Sequence, residues 1–203
     1  MAAAAVLAGG ASRRMGRDKA TMPVGGVELA ATVLAAAARV AAPVVLVAPE
    51  GHPARRLAAR AVADPGQGPL AALAAALETL DADHVLVLAG DHPGLRVELL
   101  AHLVALAPRG EAVACRRGPR LEPLVAVYRR APALVAARRA LPGGSGGVKP
   151  SLPGSRGSLL GLLADLRTVV VEEAEWRAID PDGRSFVDLD DPDDLAAWDA
   201  GRG

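Results

Sequence analysis

The stretch LAGGASRRMGRDKA, residues 7–20, sets two adjacent glycines, a serine, three arginines, an aspartate and a lysine directly behind an apolar run. Charge of this density excludes the segment from a core, and cations at a helix N-terminus oppose the macrodipole. The missing partner is negative. Gly9 and Gly10 lack the Cβ atoms that would hold a ligand off the backbone, and they tolerate positive φ. Their N–H groups and the Ser12 hydroxyl suit phosphate or base acceptors, and Arg13, Arg14, Arg17 and Lys19 approach the charge of a triphosphate. The string has neither the GK[ST] ending of a Walker A loop nor GxGxxG spacing.

Carboxylates supply the second half of such a site. Asp91 follows the apolar run LVLAG, several residues ahead of the next expected helix, so N-capping is a poor use for it. Metal ligation suits it better. Asp64, in DPG, is a natural turn initiator, and a ligand contact stays open beside that role. Asp188 and Asp190 alternate along SFVDLD and share one side if that run is a strand. Asp190, at its end, is the better metal candidate, whereas Asp191, Asp193 and Asp194 around Pro192 read as a helix start. His52, His84, His92 and His102 have no zinc or dyad spacing. Cys115 sits in the apolar run AVAC as a small hydrophobe, and one cysteine fits a reducing compartment.

These residues need a frame to hold them. The chain has 203 residues, suited to a single α/β domain over 1–203. Hydrophobic residues make up 51% but aromatics 2%, so the core must be Ala, Val and Leu, and a stacking surface for single-stranded nucleic acid is excluded. Lys plus Arg (23) balance Asp plus Glu (23), which leaves no overall basic field for nucleic acid or membrane. The leading MAAAAVLAGG lacks the basic n-region of a secretory signal, and no run reaches transmembrane length, so a cytoplasmic location is expected.

Short apolar runs alternate with longer helical ones, the pattern of βαβ units around a mostly parallel sheet. Strands are expected at 3–8, 43–48, 60–63 and 84–91, with EAVAC, LVAVY and SFVDLD extending the sheet. Helices are expected near 29–40, 53–60, 69–80, 97–106 and from about 191, with a small hairpin turning at Gly25-Gly26. Residues 142–158, rich in Gly, Pro and Ser, read as a flexible loop or a lid, with Lys149 and Arg156 as weak candidates for an anionic substrate. The charged loop, Asp64, Asp91 and Asp190 all follow expected strands, at the edge where open α/β sheets bind ligands.

LAGGASRRMGRDK resembles the signature loop LAGGxSxRMGxDK of nucleotidyltransferases with a three-layer Rossmann-like fold, most closely the molybdenum cofactor guanylyltransferase family. ADPGQGPLAAL (63–73), VLAGDHPGL (87–95), EPLVAVYRRA (122–131) and FVDLDDPDDLAAW (186–198) resemble further segments of that family. The resemblance implies backbone contacts from Leu7, Ala8 and Gly9 to guanosine, Lys19 on the phosphates, Asp64 near the nucleoside, and Asp91 on both GTP and Mg²⁺. It implies catalytic roles for Lys19, Arg13, Arg14 and Asp91, with GTP and molybdenum-molybdopterin as substrates. Proteins that deliver molybdopterin or receive the finished cofactor are implied as partners. The family's closing segment usually carries asparagines where this chain has Asp188 and Asp190, which leaves the second metal ligand open between them. A cytidylyltransferase, an enzyme acting on another small phosphate ester and a non-catalytic nucleotide-binding module are the alternatives.

Overall fold

The computed structural model describes residues 1–9, 19–142, 157–189 and 198, and for Lys19 it describes the backbone. β1 (Ala3–Leu7) is followed, beyond the charged loop, by a hairpin of β2 (Pro23–Val24) and β3 (Val27–Glu28). Gly25 and Gly26 turn it with φ of 59° and 82°, the positive values a two-residue hairpin demands. Then come α1 (Leu29–Ala38), β4 (Val44–Ala48), a 3-10 helix (Pro53–Leu57), β5 (Ala61–Ala63), α2 (Pro69–Thr79), β6 (His84–Ala89) and α3 (Val97–Leu106). The second half adds β7 (Ala112–Arg117), β8 (Arg120–Arg129), α4 (Arg130–Ala140), α5 (Leu159–Asp165), β9 (Thr168–Val171) and α6 (Glu173–Arg177).

Seven of these strands form one sheet in the order β5-β4-β1-β6-β8-β7-β9. β8 runs against its neighbours and the other described pairs are parallel. Six strands therefore end on the same edge. Leu7 lies opposite Val47 on one side and Ala89 on the other, and Ala48 lies opposite Ala63, so β1, β4, β5 and β6 finish side by side.

Strand periodicity sorts the core into two layers around this sheet. Ala4, Val6, Leu46, Leu86 and Leu88 face α1 and α3, whereas Ala3, Ala5, Val45, Val47, Val85 and Val87 face α2, α4 and α5. Burial on both faces explains why these strands read as unbroken apolar runs. Two of the four aromatics place a polar tip on a partner: Trp176 Nε1 donates to Arg116 O at 2.7 Å, and the buried Tyr128 hydroxyl donates to Pro123 O at 2.9 Å.

The expected three-layer α/β architecture with a mostly parallel sheet is the one found. Several elements differ from expectation. Residues 53–60 form a 3-10 helix that stops at Leu57, capped by His52 Nδ1, which accepts from Ala54 N at 3.3 Å. The described part of SFVDLD, residues 185–189, is not a strand. Arg184–Phe186 make one 3-10 turn, and 187–189 join no ladder, because Ser185 N and Arg184 N are drawn onto the buried Asp180 carboxylate. The closing sheet strand is β9, whose TVVV run of β-branched residues pairs in parallel with β7. The Gly/Pro/Ser loop lies outside the described residues from 143 to 156, and Ser158 already caps α5, its Oγ accepting from Gly161 N at 3.1 Å. The expected helix from about 191 also lies outside them, apart from Trp198.

Cys115 on β7 is fully buried. Burial first, then the charges of Glu122, Glu175 and Asp180, push its thiol up to about 12. The thiolate is therefore scarce at neutral pH. In the native protein at pH 8 a disulfide-exchange reagent should label no thiol on the timescale of minutes, and one per chain in denaturant. Rapid native labelling would contradict this placement.

Candidate active site

The aligned strand ends enclose a cleft of about 340 Å³ lined by Leu7, Gly9, Asp64, Asp91 and the start of α2 at Gly68-Pro69. That volume lies within the range of about 300–1,000 Å³ usual for small-molecule sites. Each wall follows from the sheet. Gly90 N donates to Leu7 O at 2.9 Å, Ala8 N to Val47 O at 2.8 Å and Asp64 N to Ala48 O at 3.0 Å. These bonds carry the ladders one residue past each strand and put Asp64 and Asp91 on either side of the β1 terminus.

Asp64 is held by its own turn, its Oδ1 accepting from Gly66 N at 2.9 Å. Its other oxygen lies directly against Gly9, where a Cβ would collide with it. With glycine at this position the end of β1 and this carboxylate share one wall, and any larger residue would require the carboxylate to swing aside. A Cβ on Gly90 would likewise press on Leu7 O and Ala8 Cβ, each at 3.2 Å. Gly68, at φ 91°, turns the chain into α2, whose N-terminal end carries the positive pole of its dipole to the cleft. Leu124, from β8, and Ala72 and Ala89 supply apolar lining.

Asp91 is half-buried, with Oδ1 3.9 Å from Nε2 of the buried His92. Its loop is clamped by the closing segment at both ends. Leu189 N donates to Asp91 O at 3.3 Å. At the far end, Arg96 N donates to Ser185 Oγ at 2.9 Å and Arg96 Nε to Asp180 Oδ1 at 2.9 Å. Asp180 is fully buried and also accepts from Ser185 N at 2.8 Å and Arg184 N at 3.2 Å. Gly94 in between packs on the Arg184 backbone and the Trp198 ring with no space for a Cβ.

The structure thus brings together four of the residues singled out in the sequence: Leu7, Gly9, Asp64 and Asp91 all line one cleft. Ala8 is buried beside it, with its N–H engaged in the sheet. Gly10, Ser12, Arg13, Arg14 and Asp190 lie outside the described residues. The Lys19 backbone opens a 3-10 turn anchored by the buried Ala20, which packs in the core on the α1 face. Asp188 is exposed and, with no strand beneath it, loses the side-sharing argument that tied it to Asp190. Among the described residues no three His, Cys, Asp or Glu side chains gather to hold a metal. Asp180, Arg96 and Ser185 escaped the sequence reading, since no motif marks partners more than eighty residues apart.

A MobA-like NTP transferase domain matches residues 4–150. This chain belongs to that family. The MobA-like protein is 31% identical over 198 residues to a probable molybdenum cofactor guanylyltransferase of Chloroflexus aggregans, covering 94% of this chain and 89% of the relative. Its structure resembles the molybdopterin-guanine dinucleotide biosynthesis protein A of Archaeoglobus fulgidus, with TM-score 0.78, 27% identity and coverage of 98% and 97%. The fold extends to 2-C-methyl-D-erythritol 4-phosphate cytidylyltransferase of Thermus thermophilus, with TM-score 0.69, 21% identity and coverage of 100% and 99%. The MobA-like chain is a nucleotidyltransferase, and among its described residues no helix is long and apolar enough to cross a membrane.

Two outcomes follow for this MobA-like site. Gly9→Ala forces the Asp64 carboxylate out of the cleft and should weaken nucleoside triphosphate binding by about tenfold or more in calorimetry, about 1.4 kcal/mol. Unchanged affinity would show that the close approach is incidental. Asp180→Ala strands Arg96 and two backbone donors, and should cost about 3 kcal/mol in urea unfolding. A loss below about 1 kcal/mol would remove Asp180 as the clamp of the Asp91 loop.

Proposed function

We propose that this chain, as one domain acting in the cytoplasm, transfers GMP from GTP to molybdenum-bound molybdopterin, giving the guanine dinucleotide cofactor and pyrophosphate. The observation that carries the reading is the cleft at the carboxyl edge, with Gly9 and Asp64 on one wall and Asp91 on the other. It is supported by the guanylyltransferase names of its relatives, one of which aligns over nearly the whole chain. Proteins that deliver molybdopterin, or that receive the finished cofactor, would be its macromolecular partners.

A phosphate oxygen of the pterin attacks the α-phosphorus of GTP in line. The bond from that phosphorus to the bridging oxygen breaks, and its electron pair leaves with pyrophosphate. The attacking oxygen is already ionised, so the protein needs no general base, and catalysis becomes positioning plus charge neutralisation. Leu7, Ala8 and Gly9 present backbone groups to the nucleoside, with Asp64 beside it, while Gly10 and Ser12 donate to phosphate. Lys19, Arg13 and Arg14 offset the charge growing on the leaving group.

Mg²⁺ fits the donor set on Asp91: this ion binds through one or two carboxylates, substrate phosphates and water, without a full protein cage. When bound it neutralises phosphate charge and aligns the triphosphate. Leu189, whose N–H donates to Asp91 O, stands between Asp188 and Asp190 in the chain, so the second ligand is one of these two carboxylates.

Pyrophosphate release should be measured with molybdenum-loaded molybdopterin and each of GTP, CTP, ATP and UTP. Turnover with GTP is expected, falling by about 10²–10³ in Lys19→Ala and Asp91→Ala variants that keep native circular dichroism. Preference for CTP, or full activity in either variant, would refute the assignment.

A further inference from the structure

The 3-10 helix after β4 carries a cation that the nucleotidyl-transfer scheme does not use. Arg55 is half-buried, and its Nη1 donates to Ala48 O at 2.9 Å and to Val62 O at 3.0 Å. Ala48 is the last residue of β4, and Val62 is the middle residue of β5. The same Ala48 carbonyl accepts from Asp64 N at 3.0 Å, so the guanidinium and the Asp64 amide meet on one oxygen. A single –NH₂ of Arg55 therefore ties the end of β4 to the middle of β5, close to Asp64.

The tie matters because β5 is weak. It is a three-residue strand at the end of the sheet, paired among the described residues with β4 alone. Short edge segments with few bonds are where native structure opens first. Asp64, which follows β5, must nevertheless hold its carboxylate against Gly9 closely enough to exclude a Cβ. Ligand-binding groups need placement within about 0.5 Å. Hydrogen bonds from a charged donor are among the strongest available for that purpose.

Arg55 is itself held in place. Its backbone N donates to His52 O at 3.0 Å, in a turn capped by the His52 ring. The neighbouring Arg56, by contrast, is exposed and engages Glu28 and Pro53 O. The two adjacent arginines thus divide between the site edge and the surface.

We infer that Arg55 is a positioning residue for nucleotide binding, locking β4 and β5 so that Asp64 stays on the cleft wall. The inference rests on the reading of this cleft as the nucleotide half of a nucleotidyltransferase site. It assigns Arg55 to the donor nucleotide and not to the acceptor.

The test compares Arg55→Met, which keeps the stem and removes the donors, with Arg55→Lys, whose ammonium can reach both carbonyls. GTP affinity is measured by calorimetry, and KM and kcat are measured for GTP and for molybdenum-loaded molybdopterin. In Arg55→Met the dissociation constant and KM for GTP should rise about tenfold, with the acceptor KM and kcat changed less than about threefold. Arg55→Lys should recover most of the GTP affinity. Wild-type GTP affinity in Arg55→Met, or an equal rise in both KM values, would overturn the inference, the latter marking Arg55 as a general stabiliser. Failure of the wild-type chain to bind GTP would instead refute the reading of the cleft beneath it.

Discussion

The site depends on one close approach, that of the β1 terminus to the Asp64 carboxylate. At Gly9 there is no room for a Cβ, because the carboxylate occupies that space. This contact requires β1, β4 and β5 to end in register, and the hydrogen bonds from Ala8 to Val47 and from Asp64 to Ala48 show that they do. The register in turn requires strands apolar on both faces, since α1 and α3 cover one side and α2, α4 and α5 the other. An alanine-rich core with two layers of helices is thus the means by which two short loops are brought within reach of one ligand.

Electrostatics then set what the cleft can accept. Its walls carry two carboxylates, Asp64 and Asp91, which alone would repel a polyphosphate. The N-terminal end of α2 counters that charge locally, in a chain whose overall charge is zero. The Asp91 side is the more tightly braced of the two. A fully buried Asp180 joins the start of α3 to the closing segment, so the chain's last described stretch is fastened to the Asp91 loop. The Asp64 side relies on a three-residue edge strand and the Arg55 bridge.

Much of this was legible in the sequence where burial is symmetric and local. AAAVL, VVLVA and HVLVLA read as strands because both faces of each are covered, and the Gly25-Gly26 hairpin and the Pro69 helix start follow from turn and capping chemistry. Legibility failed where distant partners decide. SFVDLD has a strand's alternation, yet Asp180 and Arg96 pull its start into a 3-10 turn. α4 carries Pro132 in its first turn, where proline is tolerated but reads as a break, and α4, α5 and α6 went unassigned. Leu7, Gly9, Asp64 and Asp91 stood out as a group because motifs of strand plus loop place each at the same edge. Arg55 did not, since a cation in a short helix looks like any surface arginine until its two carbonyl partners are known.

The central claim is that the cleft between Gly9, Asp64 and Asp91 holds the donor nucleotide. A crystal structure with a non-hydrolysable GTP analogue and Mg²⁺ tests it most directly. The account predicts the nucleoside against Leu7, Gly9 and Asp64, with the metal on the Asp91 carboxylate and the phosphates running between them. A nucleotide bound elsewhere on the sheet, or one in the cleft with its triphosphate directed away from Asp91, would contradict it.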